Sequence, residues 1–385
     1  MKIAFIGQKG IPAKSGGIEK HAEEMSARMA KMGHEVFVYV RNNYTSKKMS
    51  KFKGVNLIHL PSIGTKHLDA ISHTFFASVH ALFCGYDIIH YHGIGPSLLS
   101  WIPKYLTFRT KVVSTFHCQD YFHQKWGWFA RLSLKIGEYI SCHVPHKTIV
   151  VSKSLAEYVK EKYNRNAFYI PNGADVKISK RTDKIKQWEL KERKYILSLG
   201  RLIKHKGIHY LIEAFKQLED TAKTPNNFKL VIVGDGFHTD DYVRYLHTIA
   251  YGRENIIFTG AQSGETVRQL FSHAYLFVQP SESEGMSLAL LEAMGYGLAP
   301  LVSDIKENVE VVGEEGVTFA SKSVSDLKSK LAYLLSRPDE VAKFGENANK
   351  RVREKYGWDS IARETLEVYE AAIMKNNEHV EAKIG

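Results

Sequence analysis

Cysteine is scarce in this 385-residue chain: Cys84, Cys118 and Cys142 are odd in number and lack metal-ligand spacing. That excludes a disulfide scaffold and points to reduced thiols in a cytoplasmic protein. No apolar run reaches the length of about 18 residues that a membrane-crossing helix needs. The opening MKIAFIGQKG goes straight into a strand and a glycine turn, without a signal peptide's apolar core and cleavage site. No period of roughly 20–50 residues repeats, which excludes solenoids and propellers, and no segment is of low complexity. Two nucleotide fingerprints are missing as well. The first glycine loop, Gly7–Gly17 (GQKGIPAKSGG), is neither G-x-G-x-x-G nor G-x-x-x-x-G-K-[ST], because no glycine precedes Lys14-Ser15. The second strand ends in Arg41 rather than in an acid that would hold an adenosine ribose, which disfavours a nicotinamide enzyme.

What is present is the composition of a soluble globular protein, 44% apolar and 24% charged, with length enough for two domains. The formal charge of +12 is uneven. Residues 1–170 carry 23 Lys and Arg against 10 Asp and Glu, whereas the remainder holds 30 against 31. The N-terminal half is therefore expected to face a polyanion, either nucleic acid or an anionic membrane surface.

Short β-rich apolar runs alternate with amphipathic segments. In the first half they predict strands at 2–6, 35–40, 55–59, 88–90, 112–116, 148–150 and 168–170. Helices are expected at 17–32, 69–83, 97–105, 123–140 and 153–162. The break Ile170-Pro-Asn-Gly173 opens a charged connection, and a second β/α series follows. Its strands are expected at 195–199, 229–233, 255–258, 275–278 and 299–302. Such alternation predicts doubly wound parallel sheets. The domain boundaries are expected at residues 1–172 and 173–358, with a last helix within 359–385. Two Rossmann-like α/β domains facing each other across a cleft would present their strand-to-helix loops to a ligand.

The most informative stretch is VQPSESEGMSLALLEAMGYG, residues 278–297. It reads as a strand end, a polar turn bearing Glu282 and Glu284, and a helix from Met286 that carries Glu292 and stops at glycine. Eight residues separate Glu284 from Glu292, a little over two helical turns, which predicts that both face the helix entrance. A helix start favours a phosphate. Carboxylates beside a phosphate are better used on hydroxyls, and a ligand with a central phosphate and hydroxyls at both ends is a nucleotide sugar.

Other loops fit that reading. LGRLIKHKG places Arg201 and Lys206 after a strand, two cations suited to a diphosphate, with Lys204 and His205 expected in solvent. Gly16-Gly17 lets a substrate approach the backbone, Gly234 in VIVGDG leaves room for a flat ligand, and FTGAQ repeats the pattern up to Gln262. VVSTFHCQD ends a strand with His117 and Asp120, and a neutral imidazole there can hydrogen-bond a sugar hydroxyl or handle a proton. Basic residues mix with aromatics in Lys125, Trp126, Trp128 and Arg131, and Lys47, Lys48 and Lys51 add a second basic cluster. This suits an anionic bilayer interface, against the alternative of core tryptophans and ordinary solvated lysines.

In order along nearly the whole chain, these motifs resemble the family 4 retaining glycosyltransferases of GT-B fold. The residues that carry the resemblance are Gly16-Gly17, His117, Asn172-Gly173, Arg201, Lys206-Gly207, Gly234 and Glu284–Leu288 running to Glu292. GQKGIPAKSGGIEKHAEE and HCQDYFHQKWGWFARL resemble more narrowly a bacterial subgroup that builds capsular and cell-wall polysaccharides, rhamnosyltransferases among them; Cys118 stands where that subgroup often has a small residue. The resemblance implies that Glu292 binds the nucleotide ribose. Arg201 and Lys206 would hold the diphosphate with backbone N–H groups of Gly16, Gly17, Met286, Ser287 and Leu288. Glu284 would contact the donor sugar hydroxyls or support the oxocarbenium-like transition state, and His117 would hydrogen-bond the donor sugar beside the reacting carbon. It further implies no metal, consistent with the lack of an Asp-x-Asp motif, and a departing phosphate oxygen that serves as base. The expected partners are dTDP-rhamnose or a UDP-sugar, a lipid-diphosphate-linked saccharide and the inner face of the plasma membrane. A nucleotide-sugar 2-epimerase of the same fold is the alternative enzyme, and a nucleic-acid binder is the alternative without catalysis.

Overall fold

A computed structural model describes residues 1–65, 68–119, 127–221, 228–236 and 239–374. The chain divides into two compact units, Met1–Pro171 with the segment that begins at Trp358, and Asn172–Gly357.

The first unit runs β1 (Lys2–Ile6), α1 (Gly17–Lys31), β2 (Glu35–Arg41), β3 (Lys51–Phe52), β4 (Val55–Leu60), α2 (Asp69–Ala81) and β5 (Ile88–His92). It continues through α3 (Ile94–Ser97), α4 (Trp101–Leu106), β6 (Lys111–Phe116), α5 (Trp128–His143), β7 (Lys147–Val150), α6 (Lys153–Tyr163) and β8 (Phe168–Tyr169). The sheet order is β3-β4-β2-β1-β5-β6-β7-β8, parallel except for the β3–β4 pair. Apart from that hairpin the winding reverses between β1 and β5, the switch point at which ligands collect in doubly wound sheets. The central strands are buried on both faces, with Ile3, Ala4, Phe5, Ile6, Ile88 and Ile89 at zero exposure, as parallel sheets require.

The basic cluster that holds Lys51 contains an edge strand that the sequence pattern does not signal: Lys51 and Phe52 pair antiparallel with Asn56 and Val55. The turn between them puts Lys53 and Gly54 at φ 47° and 84°, the left-handed pair that two-residue hairpins prefer. The helix expected at 97–105 is split into α3 and α4. The expected start of α5, at His123, lies outside the described residues.

The second unit contains β9 (Tyr195–Leu199), α7 (Ile208–Asp220), β10 (Lys229–Val233), α8 (Asp240–Ile249), β11 (Ile256–Gly260), α9 (Gly264–His273), β12 (Leu276–Gln279) and α10 (Leu288–Gly295). Next come β13 (Ala299–Ser303), α11 (Lys306–Val312), β14 (Val317–Phe319), α12 (Val324–Leu335) and α13 (Pro338–Lys355). Its six-stranded parallel sheet has the order β11-β10-β9-β12-β13-β14, with the switch point between β9 and β12. The short elements α11 and β14 went unread in the sequence. A final helix, α14 (Trp358–Ile373), belongs to the first unit. There the Tyr369 hydroxyl meets Nδ1 of His90 at 2.6 Å, and Asp359 pairs with Arg28 at 2.8 Å.

Burial keeps many histidines neutral. It holds His73, His146 and His205 down at about 4, and His90, His92 and His117 well below the ordinary value. Below pH of about 6.5 the unfolded chain therefore binds protons that the native chain refuses, so stability is full above that pH and falls with acidification. The thermal unfolding midpoint should drop steeply between about pH 6.5 and 4.5; a midpoint flat over that window would contradict the burial of these rings.

Candidate active site

In the second unit the chemistry gathers at the switch point. After β9 the chain passes Gly200 and Arg201, and after β12 it enters the polar loop 280–287. Glu284, whose side chain is 8% exposed, is the centre. Lys206 donates to both of its oxygens, at 2.6 and 2.7 Å, and Ser281 Oγ donates to Oε1 at 2.6 Å. Burial alone would raise the Glu284 pKa; the Lys206 charge and these hydrogen bonds outweigh it and hold the carboxyl below its usual value. Lys206 has three N–H donors and spends two of them here. Arg201 is exposed, and among the described residues its guanidinium has no hydrogen bond or ion pair.

The neighbouring groups are anchored. Glu282 accepts from the Tyr210 hydroxyl at 2.9 Å and lies 3.3 Å from Lys322 Nζ. His205, expected in solvent, is instead half-buried and neutral, and its carbonyl accepts the Glu282 N–H at 2.7 Å; Lys204 is exposed. Asn172 grips the same loop, with Nδ2 donating to the Met286 carbonyl at 3.0 Å and its N–H reaching Met286 Sδ at 3.2 Å.

Beneath the loop runs a buried polar chain that the sequence did not reveal. Ser287 Oγ donates to Gln279 Oε1 at 2.6 Å, and Gln279 Nε2 donates to Asn308 Oδ1 at 2.7 Å. Asn308 Nδ2 donates to Ser303 Oγ at 3.0 Å, and Ser303 Oγ donates to the Ser281 carbonyl. Ser287 also caps α10 by accepting from the Leu290 N–H at 3.3 Å. The helix therefore starts at Leu288, two residues later than expected, because Ser287 is extended (ψ 115°). Glu284 lies in the loop, so the eight residues to Glu292 are not a helical repeat and the shared-face argument fails; Glu292 is half-buried on α10. The helix ends at Gly295, as expected, with that glycine packed against Val176; Gly297 at φ 77° follows the Tyr296 cap.

The glycines do a different job from the one expected. A Cβ on Gly234 would overlap the Gly200 carbonyl oxygen, and one on Gly207 would overlap that of Pro280. The space at Gly234 is thus filled by a neighbouring loop rather than left for a flat ligand. Gln262 donates to the Thr259 carbonyl at 2.7 Å and secures its own turn.

In the first unit, the loop after β1 is tied down by α1. Glu19 Oε1 accepts from the Lys9 N–H at 3.1 Å, Glu23 Oε2 from the Ala13 N–H at 2.7 Å, and the Tyr44 hydroxyl from the Lys14 and Ser15 amides. A Cβ on Gly16 would overlap the Glu19 carboxylate. The gap read as an approach for substrate is filled by an anion, which repels a diphosphate and speaks against Gly16 as its contact. Gly17 is the first residue of α1, whose end no side chain caps. Arg41 is buried against Asp69 at 2.6 Å, a structural ion pair.

His117 directly follows β6 and is buried at 6% exposure. Its Nε2 and His92 Nδ1 share a hydrogen bond of 3.2 Å, and the rings of His21 and Trp358 lie nearby. Sequence reading singled out His117 and missed His21 and His92, although both sit where the switch point of the sheet would put them.

On the outer face, Trp128 and Phe129 are 77% and 69% exposed, and Leu132, Ile136 and Tyr139 continue the stripe along α5. Trp128 is therefore no core residue. Arg131, Lys47, Lys48 and Lys51 are exposed, whereas Asp120, Lys125 and Trp126 lie outside the described residues.

Two Rossmann-like units, each with its own switch point, define the GT-B class of glycosyltransferases. The model of "Glycosyltransferase Family 4" matches residues 15–178, and that of "Glycosyl transferases group 1" matches residues 179–351. An uncharacterized glycosyltransferase of Methanocaldococcus jannaschii is 29% identical, with 97% of this chain and 99% of that protein covered. Among solved structures, sucrose-phosphate synthase from Thermosynechococcus elongatus aligns at TM-score 0.79 and 19% identity over 96% of this chain and 98% of that one. HepE of Anabaena, solved with UDP-glucose, aligns at 0.78 and 19% over 96% and 100%. The chain is a glycosyltransferase of GT-B fold and belongs to family 4.

Removing Lys206 strands a buried carboxylate. Lys206→Ala should cost about 3 kcal/mol of stability in the second unit, the low end for a broken buried pair. Glu284→Gln should recover much of that loss in the Lys206→Ala background; simple additivity in a urea-unfolding cycle would show that the pair is not coupled.

Proposed function

We propose that this glycosyltransferase moves a hexosyl group from a nucleoside diphosphate sugar to a lipid-diphosphate-linked saccharide, with retention of anomeric configuration and without a metal ion. The observation that carries the donor half is the buried Lys206–Glu284 pair beside exposed Arg201 at the switch point of the second unit. A departing nucleoside diphosphate gains negative charge, and preorganised cations lower that barrier most. The remaining N–H of Lys206 and the five of Arg201 suit the diphosphate. The amides at Met286–Leu288 open α10 and add a helix start. Glu284, held ionised and rigid, is assigned to sugar hydroxyls, and Glu292 to the ribose. In the first unit His117, kept neutral by burial, can donate or accept a hydrogen bond to a sugar hydroxyl without bringing a charge. The leaving phosphate oxygen takes the proton of the acceptor hydroxyl, so no protein nucleophile is required.

A UDP-sugar is favoured over dTDP-rhamnose as donor on two grounds: a carboxylate at position 292 can accept from both ribose hydroxyls, and HepE was solved with UDP-glucose. Thermal unfolding with a panel of nucleoside diphosphates should show the largest stabilisation with UDP, growing with ligand concentration. The shift should vanish in Arg201→Ala and shrink in Glu292→Ala. Equal shifts from UDP and dTDP would remove the ribose argument, and no shift from any nucleotide would sink the donor assignment.

For the acceptor half, no helix among the described residues is long and apolar enough to cross a membrane, and contact with a lipid-linked acceptor is assigned to the surface of the first unit. The α5 stripe beside Arg131, together with Lys47, Lys48 and Lys51, has the composition of an interfacial surface. The full chain should sediment with vesicles containing anionic lipid, less so as salt rises, and Trp128→Ser/Phe129→Ser should weaken this severalfold. Equal sedimentation with neutral vesicles would contradict the electrostatic part.

A further inference from the structure

We propose that His21, His92 and His117 form a binding site for a divalent first-row transition ion, with Zn²⁺ and Co²⁺ as the fitting class. The three come from separate elements, α1, the end of β5 and the residue after β6, and are 4%, 1% and 6% exposed. One ring nitrogen from each lies within 4.8 Å of the others. The ring centroids are 4.8, 5.4 and 5.5 Å apart. Imidazoles on a tetrahedral ion at about 2.0–2.1 Å place their nitrogens roughly 3.3 Å apart. The His92 Nδ1–His117 Nε2 separation of 3.2 Å already matches one edge, and side-chain rotation has to close the other two.

His92 brings a second observation: its Nε2 is buried and has no hydrogen-bond partner among the described residues. The ring is also held in place, since His90 lies 4.1 Å away, centroid to centroid, and is itself pinned by Tyr369 and Thr115. An ion entering here takes the place of the proton shared by His92 and His117, and the donor imidazole moves that proton to its other nitrogen. An all-imidazole set suits zinc, cobalt, nickel and copper and offers nothing to Mg²⁺ or Ca²⁺, which prefer oxygen. The unpartnered Nε2 also means that the site lacks part of the outer hydrogen-bonding that tightens metal binding, so the ion should exchange rather than be permanent. Because the ion occupies His117, its effect on a reaction that uses this residue is inhibition.

The test is a Co²⁺ titration of untagged, chelator-treated full-length protein, followed by visible ligand-field absorption. The expected result is a saturable signal at a single equivalent, displaced by Zn²⁺ and untouched by Mg²⁺. It should be weakened at least about tenfold in His21→Gln and in His92→Gln. Thermal unfolding in chelator checks that these variants fold, and His117→Gln replaces either one that does not. A wild-type protein without ligand-field bands, or variants with unchanged affinity, would overturn the site. UDP stabilisation measured on the same chelator-treated preparation reports the donor assignment separately, so a nucleotide shift without cobalt binding would dismiss the ion site alone.

Discussion

The second unit is arranged around one buried carboxylate. Glu284 would be costly to ionise where it sits, and Lys206 makes it tolerable by donating to both oxygens. The consequence is a rigid, charged pair at the carboxyl ends of β9 and β12 rather than two mobile side chains. Ser281 completes the carboxylate, and the Ser287–Gln279–Asn308–Ser303 chain supports the loop from below, each group donating to the next. Buried polar networks of this kind rigidify when fully satisfied, because breaking any link strands a buried group. A preorganised cation needs no rearrangement when charge develops on a leaving phosphate, so the architecture and the proposed chemistry make the same demand.

Close backbone approach is the second requirement. Gly234 lets the loop after β10 touch the carbonyl of Gly200, and Gly207 lets the loop after β9 touch that of Pro280. These contacts continue the ladder beyond the strands, with the Gly200 N–H donating to Val233 and the Gly234 N–H to Gly260, both at 3.0 Å. Any side chain at Gly207 or Gly234 would push apart the strand ends that carry Arg201, Lys206 and Glu284. The glycines act on the site by holding it together.

That difference explains how far the sequence could be read. Period and propensity were enough for the alternating elements and for the loops that follow β9, β12 and β6, because each signal is local. Glu284, Lys206 and His117 stood out as chemistry-bearing residues at strand ends. Their partners did not. Nothing near Asn308 announces that its amide will bridge Gln279 and Ser303, and His21 looks like one polar position on an amphipathic helix. The start of α10 was misjudged because MSLALLEAM is helix-forming throughout, while the cap of Ser287 and the grip of Asn172 on Met286 are tertiary events. Gly16 was read as open space for the same reason: only folding shows that Glu19 turns back to fill it. The two-residue β3 was hidden among lysines, since Lys51 and Phe52 pair by virtue of the Lys53-Gly54 turn rather than any strand period.

The two switch points differ in electrostatic character, and burial is the cause. In the second unit the buried carboxylate stays ionised because a lysine reaches it, leaving Arg201 and part of Lys206 available to an anion. In the first unit burial acts on imidazoles, and it drives His92 and His117 alike neutral. A neutral imidazole cluster brings no cation to a phosphate, and the Glu19 carboxylate fills the space beside Gly16. Part of the basic excess of residues 1–170 lies on surface residues such as Lys47, Lys48, Lys51 and Arg131, where cations remain solvated. Burial thus leaves uncharged rings inside this unit, while its solvated cations stay on the exterior.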